Sequence, residues 1–152
     1  MVSASFPHSG ISYSPPTTEN YRSEIIKANG LNPLLRLLQS PDPGSIFAAV
    51  SCVCYLTLQP PDNSPIIEAG FLQPLVNLLS FKGDGDTPWY AAKTLDNLAA
   101  NPKNRWEIFN AGAVQSIKEL VFESPVGVQI RMICCIERLS LSGTDLPPSR
   151  LL

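Results

Sequence analysis

The chain has 152 residues, is 44% hydrophobic and carries a net charge of −2. That length suits one domain with a real core, and thirteen acidic against eleven basic side chains lack the basic excess of a nucleic-acid-binding protein. No apolar run approaches the roughly 20 residues of a membrane-spanning helix, and no charged segment followed by an apolar run marks a secretory signal.

Residues 1–19 are rich in Ser, Pro, Thr and Gly without periodicity, which predicts a disordered tail. Residues 142–152 read the same way. Between them the chain repeats itself. Ala28-Asn29-Gly30-Leu31-Asn32-Pro33-Leu34-Leu35 is answered by Ala69-Gly70-Phe71-Leu72-Gln73-Pro74-Leu75-Val76, and then by Ala111-Gly112-Ala113-Val114-Gln115-Ser116-Ile117. These segments begin 41 and then 42 positions apart, and a second set, Val53/Leu56, Leu95/Leu98 and Ile136/Leu139, recurs in phase.

Each repeat parses into three helices. A short first helix ends at the Ala-Gly or Ala-Asn pair, where Gly or Asn takes the left-handed cap conformation. The second starts near Pro33, Pro74 or Gln115, with proline in the first turn where its missing N–H costs nothing. Its apolar residues recur at i, i+3, i+4, as in Leu34, Leu37 and Leu38. The third is longer, about 45–58, 87–100 and 126–141, and follows capping residues such as Asp42. The predicted domain is 20–141, divided at about 20–59, 60–100 and 101–141.

A three-helix unit of about 42 residues is the armadillo period. The predicted fold is therefore all-α, a right-handed superhelical solenoid of about three repeats. Such units bury their apolar faces only by stacking, so the outer repeats are expected to be marginal. An open flank near Ile133, Ile136 and Leu139 is expected to favour self-association.

The stretches Ile67-Glu68-Ala69-Gly70-Phe71-Leu72-Gln73-Pro74-Leu75-Val76, Thr94-Leu95-Asp96-Asn97-Leu98-Ala99-Ala100, Lys103-Asn104-Arg105 and Glu123-Ser124-Pro125-Val126 resemble the fungal vacuolar armadillo-repeat family. The resemblance spans about residues 20–141. It implies a non-enzymatic adaptor whose groove holds extended partner segments at the vacuolar membrane, in vacuole inheritance, nucleus–vacuole contact and autophagy. The family's anchor is a myristoylated glycine after Met with nearby palmitoylated cysteines. Here Val2 follows Met1, and residues 1–19 hold no Cys, so no lipidation site is expected and the location becomes cytoplasmic if the anchor is truly absent. The other reading open at this point is a generic armadillo interaction module, or a truncated paralogue without a membrane role.

In armadillo proteins the third helices line the groove, and an Asn near each helix end offers a donor and an acceptor to the backbone of a bound peptide. Asn97 holds that position in the middle repeat. Tyr55 and Arg138 are its equivalents, and both types are enriched in binding hot spots. One turn earlier lie Lys93, Ser51 and Cys134. Adaptors that clamp nuclear-localisation peptides place Trp where Lys93 stands, and a lysine repels a basic peptide. Trp89, two turns before Asn97, borders the groove or packs the start of its helix. Trp106 is read as a packing residue of a first helix.

Cofactors and metals are not expected. The four cysteines form Cys52-x-Cys54 and Cys134-Cys135 pairs inside apolar helices, where such neighbours point to different faces. They read as buried thiols in a reducing compartment. His8 is the only histidine, which removes the usual catalytic triads. Lys82-Gly83-Asp84-Gly85-Asp86 lacks the remaining residues of a phosphate or calcium loop and reads as a solvated insertion.

Overall fold

The computed structural model describes residues 18–58 and 63–141. The expected tails lie outside the described residues, apart from Thr18 and Glu19, which already belong to the first helix. Among the described residues there are nine helices and no strand. The first three are α1 (Thr18–Lys27), α2 (Leu31–Leu38) and α3 (Pro43–Thr57). Next come α4 (Ser64–Glu68), α5 (Leu72–Leu78) and α6 (Asp86–Ala99). The last three are α7 (Pro102–Asn110), α8 (Ala113–Leu120) and α9 (Val126–Ser140). They form three successive three-helix units of an armadillo solenoid.

Local chemistry sets the helix ends. Asn29, Gly70 and Gly112 adopt positive φ of 59°, 90° and 85°, one after each short first helix. In the first of these turns the Gly30 N–H donates to the Ile25 carbonyl at 2.8 Å, closing a six-residue cap. A Cβ at Gly30 would lie 2.9 Å from that oxygen, so only glycine fits. Asp42 caps α3 by accepting from the Ser45 N–H at 2.8 Å and its hydroxyl at 2.7 Å, bonds that hold its carboxyl below the usual range. Pro43 follows it in the first turn. The Gly-rich loop supplies the corresponding oxygen for α6: the Asp84 carboxylate accepts from the Thr87 N–H at 2.5 Å and the Asp86 N–H at 3.0 Å. At the far end of α6, Asn104 and Arg105 donate to the Leu98 and Ala99 carbonyls at 3.0 and 2.8 Å. Two of the carbonyls that helix geometry leaves unpaired are thereby satisfied by the next helix.

The core runs the length of the array and is thickest at α6. Ala91, Ala92, Leu95, Leu98 and Ala99 are fully buried there, with α3 packed on one side and α9 on the other. Behind them lie Val50 and Val53 of α3, Leu75 of α5, Ile117 of α8 and Met132 of α9. Ile66 of α4 and Ile108 of α7 plug the corners, whereas Ile25 of α1 is only half-buried.

The flank expected to be open differs in detail. Ile133 is 57% exposed, Ile136 half-buried and Leu139 buried. Leu139 lies seven and four residues after Met132 and Cys135, and so shares their inward stripe. The outward stripe is Val126, Ile130 and Ile133.

Cys54 and Cys135 are buried, and Cys52 and Cys134 half-buried. Burial, with the Asp96 carboxylate adding to it, pushes the Cys135 thiol up to about 12. A raised thiol pKa keeps the sulfur protonated, and only the thiolate alkylates. At about pH 8 iodoacetamide should therefore modify Cys134 well before its neighbour Cys135, and denaturant should abolish the difference. Mass spectrometry of native protein showing equal labelling of the two would contradict the packing of α9.

Candidate functional site

The three long helices α3, α6 and α9 lie side by side, and one face of each is free of helix packing. Ser51 and Tyr55 stand on that face of α3, Lys93 and Asn97 on α6, Cys134 and Arg138 on α9. The six positions follow the repeat period, so stacking brings residues far apart in sequence into two rows across the array.

Asn97 is half-buried and tied to the preceding repeat. Its amide nitrogen donates to the Thr57 hydroxyl at 3.0 Å and approaches Cys54 Sγ at 4.0 Å. The orientation of the amide follows from chemistry. The Thr57 hydroxyl spends its one hydrogen on the Cys54 carbonyl at 2.7 Å, so toward Asn97 it can only accept. The nitrogen must face Thr57, and the Asn97 carbonyl oxygen is left as an acceptor toward the open face.

Arg138 repeats the arrangement one unit later. It reaches back to Asp96, which occupies in α6 the place that Cys54 holds in α3. Lys93 meets the other oxygen of the same carboxylate at 3.5 Å. The Asp96 side chain is 3% exposed, that of Lys93 22% and that of Arg138 45%, so one buried anion holds a half-buried and an exposed cation. A buried carboxylate is tolerated because charged donors replace its water.

Tyr55 is 60% exposed. The Tyr55 hydroxyl nearby pushes the Tyr90 phenol above its ordinary value. Tyr90 also lies edge-on to Phe47 at 5.7 Å and to Trp89 at 5.0 Å. The Arg131 guanidinium sits 5.4 Å from the centre of the Trp89 ring. Trp89 thus packs at the seam of α6 and α9 beside the face. Ser51 directs its hydroxyl at its own helix, donating to the Ala48 carbonyl at 3.0 Å. Trp106 is half-buried and stacks on Phe109 within α7, away from this face.

Where α1 meets α3, a cavity of about 410 Å³ opens beside this face. Tyr21, Arg22, Ile25, Cys52, Tyr55 and Leu56 line it. Its surface is mostly apolar, and Tyr55 belongs both to the cavity and to the row.

Sequence reasoning missed Asp96, Thr57, Tyr90 and Arg131. The first was findable. A carboxylate in the middle of an apolar helix, with an arginine 42 positions later, is an unpaired charge whose partner lies one repeat away. The Thr57 contact depends on how two helices are offset, which residue spacing does not fix.

The Armadillo/beta-catenin-like repeat profile matches residues 18–58. Vacuolar protein 8 of Saccharomyces cerevisiae is 41% identical over 127 residues, covering 83% of this chain and 22% of that protein. The Schizosaccharomyces pombe protein of that name is 42% identical over 125 residues, covering 82% of the chain and 23% of its own length. The chain therefore spans less than a quarter of these relatives. A crystal structure of computationally designed armadillo repeat proteins for modular peptide recognition superposes with a TM-score of 0.72 at 27% identity, covering 80% of this chain and 51% of the other.

Asp96→Asn should lower the unfolding free energy by about 1.5–3 kcal/mol, the range for hydrogen bonds to charged groups. Arg138→Gln should cost less, since water already screens that side chain. Combined, the two changes should cost less than their sum, because they remove one shared interaction. Urea denaturation of the four proteins tests this, and additive losses would mean that the pair is uncoupled.

Proposed function

The chain is an armadillo-repeat protein related to fungal vacuolar protein 8, and from that we propose that it is a scaffold whose groove grips extended segments of partner proteins. The observation that carries this reading is the fixed Asn97 amide. With its nitrogen held by Thr57, its carbonyl oxygen is left to accept from a peptide N–H without reading side chains. Tyr55 and Arg138, one repeat to either side, supply contacts in line with it. Lys93, Ser51 and Trp89 form the edges of the same strip, with Ser51 offering packing more than hydrogen bonding. The name of the relatives supports a reading in which the scaffold works at the vacuole, and the roles proposed with it are vacuole inheritance, nucleus–vacuole contact and autophagy targeting. No helix among the described residues is long and apolar enough to cross a membrane.

The test is affinity capture from a fungal lysate with the wild-type chain and an Asn97→Ala/Arg138→Glu bait of equal helicity. Vacuolar, nuclear-envelope or autophagy proteins should be retained by the first and lost by the second. For a purified partner segment, Asn97→Ala alone should weaken binding about tenfold, the equivalent of one neutral hydrogen bond. Equal capture by both baits would remove these residues from the site.

Self-association belongs to the other end of the same reading. Val126, Ile130 and Ile133 make an exposed apolar stripe on α9, where a further helix would stack in a longer array. Light scattering should show mass rising with concentration for the wild-type chain and staying constant for Ile130→Lys/Ile133→Lys. A constant monomer mass for the wild type would end the idea.

A further inference from the structure

The charge on the groove runs against that of the chain. Overall the molecule is acidic, at −2. On the open face of α6 and α9 the cations cluster: Lys93, Arg131 and Arg138 stand together about one buried carboxylate, Asp96. Arg131 is held over Trp89, a contact that leaves its charge uncancelled. Burial raises the Cys54 thiol, while Thr94 and the charges of Lys93 and Arg131 act to lower it. Asp86, in the first turn of α6, acts on Tyr90 at the end remote from Asn97 and Arg138. Glu137 is exposed beside Arg138, one position round the helix from the row. Toward α3 the strip changes character. There it is aromatic and apolar, with Tyr90, Tyr55 and the cavity at α1, where Arg22 sits among Tyr21, Ile25 and Leu56.

We propose that the partner segment fitting this groove is acidic, an extended stretch in which Asp or Glu residues follow an aromatic or bulky apolar anchor. The inference rests on the groove reading above and adds the chemistry of the partner. The anchor occupies the cavity beside Tyr55. The carboxylates lie across Lys93 and Arg131 and then at Arg138. Neighbouring helices stand about 8–10 Å apart and an extended chain advances about 3.3 Å per residue, so one repeat is spanned by about three residues. The expected pattern is an anchor with acidic residues about three and about six positions away. The buried Asp96 takes part indirectly. It holds the half-buried Lys93 and the exposed Arg138 in place, so a ligand carboxylate meets cations already positioned. A basic peptide meets the same cations and is repelled.

The test uses the full chain and three fluorescein-labelled peptides of one backbone. Each has a single Trp followed at every third position by Glu, by Gln or by Lys. Fluorescence anisotropy gives the dissociation constants at low and high salt. The Glu peptide should bind at least tenfold tighter than the Gln peptide, lose most of that margin in high salt, and exceed the Lys peptide further. Lys93→Gln/Arg131→Gln should cost the Glu peptide about tenfold and the Gln peptide clearly less, a split that general loss of structure would not produce. Glu and Gln peptides of equal affinity would overturn the acidic preference while keeping the groove. Tighter binding of the Lys peptide would overturn it outright. No binding by any of the three would count against the groove itself. The peptide series and its salt dependence need no mutant, so an unstable variant would leave the outcome readable.

Discussion

Helix α6 is covered by helix on two sides, and this is possible because its packed positions are small or leucine. Ala91, Ala92 and Ala99 let α3 and α9 approach closely, and Leu95 and Leu98 fill the space between them. A burial of that completeness is available to one repeat in three. Among the described residues the outer units have neighbours on one side only, so α1 keeps its isoleucines half-buried and α9 shows an apolar stripe. The stability of the array is thus a sum over interfaces more than over units. The two interfaces that α6 makes with α3 and α9 are the most extensive between helices. They also set the offset between the long helices, on which every contact of the candidate groove depends.

That offset explains why residue positions and residue pairings were unequally legible. The period of 41–42 residues, the Asn29, Gly70 and Gly112 turns and the apolar stripes could be read from spacing alone, because each follows from backbone geometry within a few residues. The armadillo fold followed from them. Three long helices with Asn97, Tyr55 and Arg138 in register also followed, since equal spacing puts equivalent residues in one row. What those side chains touch did not follow. Thr57 is three residues past the Cys54 carbonyl it serves, and only a helix offset of this size brings its hydroxyl under Asn97. Leu139 shows the same limit in reverse. It stands one period after Leu98, which is fully buried, and its own burial is legible from that equivalence more readily than from its place near the chain's end.

The row residues share a habit that a list of residue types conceals. Asn97 reaches back to the level of Cys54 and Thr57, and Arg138 reaches back to Asp96. In both cases the residue that faces the groove is also a tie between consecutive repeats. An uncharged amide tied to a hydroxyl keeps one acceptor for a ligand. A guanidinium tied through Nε keeps its remaining N–H groups, in a planar fork suited to a carboxylate. The substitution of Arg for Asn along the row therefore changes what the groove offers, from a backbone acceptor to a cluster of donors, while preserving the tie.

Preserving the tie has an electrostatic consequence. A guanidinium in place of an amide needs an anion beneath it, and Asp96 provides one at the position where α3 has a thiol. A buried carboxylate needs donors in place of its lost water, and Lys93 supplies a second beside Arg138. Two cations then stand over one anion, and the surplus positive charge lies on the open face. The basic strip thus follows from solving the packing problem at the α6–α9 interface, with Arg131 over Trp89 adding to it on the same seam. A carboxylate arriving from solution meets donors whose geometry the fold has already set, and it needs no rearrangement of the core to bind.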